Sequence, residues 1–289
     1  MANTYKGNLF ALFALIFSSL SIPFAVDFFG RQIFDGFYPR FALSFMAYII
    51  PVILYFFFNK SLGLKDVLSL KMLPLKDILC LCSMGLFIQP LLLIISALSS
   101  LVSPNNVPAA IQSYSDISFF KIFIIISFLP AVMEEIIFRG IILSNYKNVS
   151  FKKAAVITGI IFGIAHMDLQ QFPYAFMMGI LFALLVHRSG SILASIIPHM
   201  IINAVQSLIG YSAFAIAPSP YITVTAETLG FIFTTPLGML FSIVIFCIAF
   251  LNFNNAHPIK VEEIVTPDRV INLPLIFIIA WYIISTVFI

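Results

Sequence analysis

The sequence predicts an all-α fold, a polytopic transmembrane helix bundle of eight or nine spans with a buried polar site. Three observations predict it. Hydrophobic residues make up 61% of the 289 and charged residues 9%, where a soluble domain has about 45–50% and about 25%. The apolar residues fall in runs close to the ~20 residues that a bilayer-spanning helix needs. The few ionisable residues inside those runs sit together in three of them, the fourth, fifth and seventh. A soluble chain of this length would need far more polar surface. The net charge of +3 is too small and too dispersed for a nucleic-acid binder. Cys80, Cys82 and Cys247 all lie in apolar runs. An odd number of such thiols is no disulfide framework.

The runs place spans at about 8–26, 41–58, 78–102 (with Pro90 inside), 122–146, 154–167, 172–186, 191–213, 229–253 and 273–289. The first is read as a span rather than a cleaved leader, because its flank carries only Lys6 and no convincing small-x-small site precedes Asp27. The count falls to eight if the short fifth run is re-entrant or the first lies flat. Residues 60–77 alternate leucines with lysines and read as an interfacial segment on the inner leaflet. The polar stretch 254–272, with His257, Glu262 and Glu263, reads as a solvated connection. With the N-terminus in the cytoplasm, the inner segments hold eleven basic residues and the outer ones three. That asymmetry favours a cytoplasmic N-terminus.

Ionisable residues at membrane depth cost roughly 2.5–3.5 kcal/mol each and mark functional sites by default. The fourth span reads Met133-Glu134-Glu135-Ile136-Ile137-Phe138-Arg139-Gly140. Glu135 and Arg139 are four apart, so they share a helix face and can pair. Glu134 lies about 100° around the helix and is left for chemistry. The bland alternative puts all three in a structural network. The fifth span carries Phe162 and His166, again four apart; a lone His near a span end is often a packing residue. Asp168 comes next, at the expected outer boundary. His199 and Asn203 share a face of the seventh span behind Pro198, where interhelical hydrogen bonding is the bland reading. His187 and Arg188, at a span end, read as snorkelling. At 1.5 Å per residue, Glu134 and His166 lie about 18 Å from their cytoplasmic ends and His199 about 12 Å. One layer of the core can therefore hold a carboxylate, two imidazoles and an amide.

That set suits hydrolysis. A carboxylate in a wet cavity can take a proton from water. Two donors on one face, His199 and Asn203, suit an oxyanion hole. The chain has no H-E-x-x-H helix, no G-x-S-G serine motif and no G-x-G-D aspartyl motif. A zinc site of Glu134, His166 and His199 stays open, since two His and one Glu form a catalytic zinc set.

These residues resemble the CPBP family of intramembrane glutamic endopeptidases, which includes the CAAX prenyl endopeptidases and bacterial Abi proteins, some linked to bacteriocin immunity. The family pattern is E-E-x-x-x-R, then F-x-x-x-H, then H-x-x-x-N/D, each on a membrane helix. Here it reads Glu134-Glu135-x-x-x-Arg139, Phe162-x-x-x-His166 and His199-x-x-x-Asn203, complete and in order. The resemblance covers roughly 120–210. It implies Glu134 as the base that activates water, His166 as its assistant, His199 and Asn203 as the oxyanion hole, and Glu135, Arg139 and Phe162 as supports. It implies no cofactor, a membrane-associated peptide or protein as substrate, and a bacterial plasma membrane. It also divides the chain into N-terminal helices and interfacial segment (1–119), a catalytic core (120–213) and C-terminal helices (214–289). A non-catalytic immunity or scaffold protein of the same fold is the rival reading. A transporter would show duplicated halves, and the sequence has none.

Overall fold

Helix boundaries in this chain are set largely by Ser, Thr, Asn and Pro. The computed structural model describes residues 3–34, 36–59, 67–112, 114, 117–215, 218–258 and 269–287. Among these the regular elements are helices. Helix α1 is Thr4–Phe29, capped by the Asn3 side chain, which accepts from the Lys6 N–H at 2.9 Å. Helix α2 is Phe37–Phe58. Helix α3, Leu75–Ser99, bends at Ile88, where Pro90 opens its second half. Helix α4 runs over 119–146, α5 is Phe151–Ala165, α6 is Phe172–Ser189 and α7 is Leu193–Phe214. Helices α8, α9 and α10 are Pro220–Thr234, Pro236–Ala256 and Leu273–Val287.

One expected span is corrected. The run 229–253 is not one helix but parts of α8 and α9, broken at Thr235. That residue has extended backbone, its side chain caps Gly238 N–H at 3.3 Å, and Pro236 takes the first helical position. Six described helices are long and apolar enough to cross a bilayer: α1, α2, α3, α6, α7 and α9. Of the other expected spans, α4 is built of several helical types, and α5 and α10 are shorter. Phe28, Phe58, Leu98, Leu237 and Phe241 are exposed, as side chains that meet lipid tails should be.

The chain forms two compact units. The first comprises residues 1–70, 133–184 and 261–289, and here α1 packs on α2, α10 and the end of α4. Asn8 joins these elements. Its Nδ2 donates to Asn272 Oδ1 at 2.9 Å and to the Val270 carbonyl at 3.3 Å, and the Tyr146 hydroxyl donates to its Oδ1. Gly7 is required there, because a Cβ would come within 2.9 Å of the Asn145 Cβ.

The second unit comprises residues 71–132 and 185–260. Helix α7 packs on α3, on the first half of α4 and on α8. Gly85 lets α3 approach the Pro198 backbone, where a Cβ would meet the Pro198 Cα at 2.9 Å. Two readings from the sequence change here. Residues 60–66 of the expected interfacial segment lie outside the described residues, as do Glu262 and Glu263. Its last residue, Asp77, is buried in the first turn of α3, with Oδ2 2.7 Å from His257 Nε2. His257 is therefore an anchor rather than part of a solvated loop. Arg188 donates through Nη1 to the carbonyls of His257 (2.9 Å) and Asn254 (3.1 Å). A cation at the C-terminal end of α9 meets the negative end of the helix dipole.

Candidate functional site

Helix α4 carries the paired glutamates on a single α-helical stretch, Leu129–Glu135, between two π-helical ones, Phe123–Phe128 and Ile136–Ile142. In each wide turn an N–H reaches back five residues, Leu129 to Ile124 and Leu143 to Phe138. Wide turns of this kind recur at functional sites. Pro130 explains the first. It has no N–H, and its ring crowds the carbonyl four residues back, Ile126. That carbonyl then faces Asn203, whose Nδ2 lies 3.5 Å from it. One residue on, the Ser127 and Ser207 hydroxyls are 3.2 Å apart. These contacts belong to the second unit, which also holds His199, buried on α7 one turn before Asn203.

The first unit holds the other named residues. Arg139 Nη1 donates to Glu135 Oε1 at 2.8 Å, with both side chains buried. This is the pair that a spacing of four predicts. Arg139 Nη2 also donates to the Gly179 carbonyl at 3.2 Å. Its guanidinium lies 4.4 Å from the Phe162 ring centroid and 5.1 Å from that of Phe182. Desolvated cation–π contacts of this kind contribute up to about 2 kcal/mol. A buried cation is thus held by the Glu135 carboxylate, the Gly179 carbonyl and the rings of Phe162 and Phe182, with Phe138 at 5.9 Å.

Phe162 connects this pair to His166. Its ring stands nearly edge-on to His166, with centroids 5.0 Å apart. The Phe162 carbonyl lies 2.9 Å from His166 Nδ1. A carbonyl only accepts, so Nδ1 carries the hydrogen, and in the neutral imidazole Nε2 holds the lone pair. His166 ends α5, and the chain then turns through Met167 at φ 50°, a left-handed conformation. Asp168 fixes the entry to α6. Its Oδ1 accepts from the N–H groups of Gln170 (2.7 Å) and Gln171 (3.2 Å). The residue expected merely to mark the outer boundary is a capping residue.

Glu134 has a different hydrogen-bond partner from its neighbour. Its Oε1 accepts from the Tyr48 hydroxyl on α2 at 2.9 Å. Sequence reasoning missed Tyr48. The signal was a tyrosine inside an apolar span, whose hydroxyl must find a partner when buried. It missed Gly179 as well. A Cβ there would lie 2.7 Å from the Gly159 Cα, so glycine at both positions lets α5 and α6 approach closely enough for the carbonyl to reach Arg139. Gly179→Ala should therefore lower stability by about 1–3 kcal/mol, the usual cost of overpacking. Gly230, with nothing within 4 Å of a Cβ, is the control. Gly230→Ala should leave the melting temperature unchanged or raise it, since alanine is the better helix former by about 1 kcal/mol.

The first unit thus brings Glu135, Arg139, Phe162 and His166 into one chain of contacts and sets Glu134 against Tyr48. Comparison with known proteins adds the decisive observation. The family model for type II CAAX prenyl endopeptidases, Rce1-like, matches residues 116–205. This segment is similar to that family. All three motifs fall inside it. A relative in Bacillus subtilis (strain 168), which carries the provisional description membrane peptidase YdiL, is 38% identical over 81 residues. That match covers 28% of this chain and 33% of the relative, so it spans about a third of the relative's length. No solved structure matches the chain. The helices outside 116–205 have no counterpart in the Rce1-like match.

Proposed function

We propose that this chain is an intramembrane endopeptidase that hydrolyses a peptide bond of a membrane-associated peptide or protein with water activated by Glu134. The observation that carries the reading is the division of labour between adjacent carboxylates. Glu135 takes the buried cation, and Glu134 is held by a neutral hydroxyl. Glu134 accepts a hydroxyl hydrogen bond beside the Glu135–Arg139 pair, and a carboxylate placed in this way can act as a base. The similarity of 116–205 to the type II CAAX prenyl endopeptidase family supports the same reaction class.

In the proposed reaction Glu134 takes a proton from water as its oxygen adds to the scissile carbonyl carbon. His166, as the neutral imidazole, orients that water through Nε2. His199 and Asn203 donate to the oxyanion of the tetrahedral intermediate, the role that contributes most in acyl transfer. The C–N bond then breaks, and Glu134 returns its proton to the leaving amine. The N-terminus lies in the cytoplasm, and the active centre opens toward that side.

The test uses purified full-length protein in liposomes with a pool of membrane peptides. Tyr48→Phe removes the hydroxyl and little volume. Cleavage should fall by roughly tenfold, the equivalent of one hydrogen bond to a charged group, while the melting temperature holds. Full activity in Tyr48→Phe would remove that tyrosine from the mechanism. A zinc chelator should leave wild-type cleavage unchanged. Loss with chelator and recovery with added zinc would replace the glutamate mechanism with the zinc one.

A further inference from the structure

The first unit also contains a groove that the peptidase reading does not use. It has a volume of about 740 Å³ and lies between the first turns of α5 and the chain leading into α10. Its lining is divided by chemistry. Lys152, Lys153 and Arg269 supply three cations, and Val156, Ile157 and Ile271 supply an apolar wall. Among the described residues none of the three cations has a carboxylate partner. The first turn of α5 contains no acidic residue, and the two lysines sit at the end of the helix where the dipole is already positive. Positive charge is concentrated there against the local electrostatics, beside a surface suited to hydrocarbon.

We propose that this groove binds an anionic phospholipid, with the phosphate headgroup on Lys152, Lys153 and Arg269 and the upper acyl chain along Val156, Ile157 and Ile271. Charge complementarity selects the headgroup, and the apolar wall distinguishes a lipid from a free anion. Basic pockets between membrane helices recognise anionic headgroups in this way. The position suits it, since α5 starts there and continues through the apolar residues Ile157, Ile160 and Ile161. The proposal is independent of the peptidase reading.

The test is native mass spectrometry of the full-length protein in a neutral detergent with equimolar dioctanoylphosphatidylglycerol and dioctanoylphosphatidylcholine. Each cation near a headgroup contributes a factor of about five, so phosphatidylglycerol should be retained roughly 10–100-fold in excess. Lys152→Gln with Lys153→Gln and Arg269→Gln should abolish the excess. Lys6→Gln with Lys71→Gln and Lys76→Gln, which removes as much charge elsewhere, should leave it. Val156→Glu, at an exposed position, should abolish it with all three cations intact. Equal retention of both lipids overturns the proposal, as does an excess that survives the groove variants. Inorganic phosphate that displaces the lipid at equal concentration would reduce the groove to a free-anion site and overturn the lipid assignment. If a preference appears only after Glu262→Gln, Glu263→Gln and Asp268→Asn, the chain neutralises its own cations, and the proposal fails.

Discussion

Glu135→Gln should lower stability by about 3–5 kcal/mol, the usual result of removing one partner from a buried ion pair. Arg139 would keep its charge, the Gly179 carbonyl and two ring faces, but lose the carboxylate at 2.8 Å. Membrane abundance and the melting temperature in detergent should both drop. The double variant Glu135→Gln with Arg139→Gln removes both charges and should recover part of the loss. Its recovery will be incomplete, because glutamine fills neither the space between the Phe162 and Phe182 rings nor the bond to Gly179. The Arg139 contacts run through Phe162 to His166, so the same variant should also loosen the imidazole. A Glu135→Gln protein as stable as wild type would show that the pair is not what holds this part of the bundle.

Glu134→Gln should do the opposite. It preserves size, and the amide can still accept from Tyr48, so expression and melting temperature should stay near wild type. Cleavage should fall by roughly 10²–10⁴-fold, the span for loss of a general acid–base group. The contrast between neighbouring positions is the sharpest consequence of the geometry. One carboxylate matters for folding and the other for rate. If Glu134→Gln is active while Glu135→Gln is stable and dead, the two roles are reversed.

The range of each interaction decides how far it can be read from the sequence. The Glu135–Arg139 pair was legible because both partners lie one turn apart on one helix. The membrane setting was legible because it depends on composition alone. The break at Thr235–Pro236 was available as a Thr cap before a proline, but it was hidden inside a continuous apolar run. The contact between Asn203 and the Ile126 carbonyl needed two steps, a proline at 130 that frees a carbonyl and a helix distant in sequence that supplies the donor. For Tyr48 only the need of a partner was legible and not its identity, since that partner lies 86 positions away and an apolar span gives no hint of which helix it faces. The glycine contact between 159 and 179 failed to register for the same reason. Long-range pairing leaves no period in the sequence, whereas caps and i,i+4 pairs do.

The central claim is that Glu134 is the base of a peptidase working within the membrane. It is tested most directly by comparing the membrane peptides of cells that express the wild-type chain or Glu134→Ala at equal abundance. Mass spectrometry should find a set of newly formed termini in wild type that is absent in the variant. Adding a zinc chelator to wild-type membranes should leave that set intact. Identical peptide sets in the two strains, with the wild-type protein folded and abundant, would contradict the account and favour the non-catalytic reading of this fold.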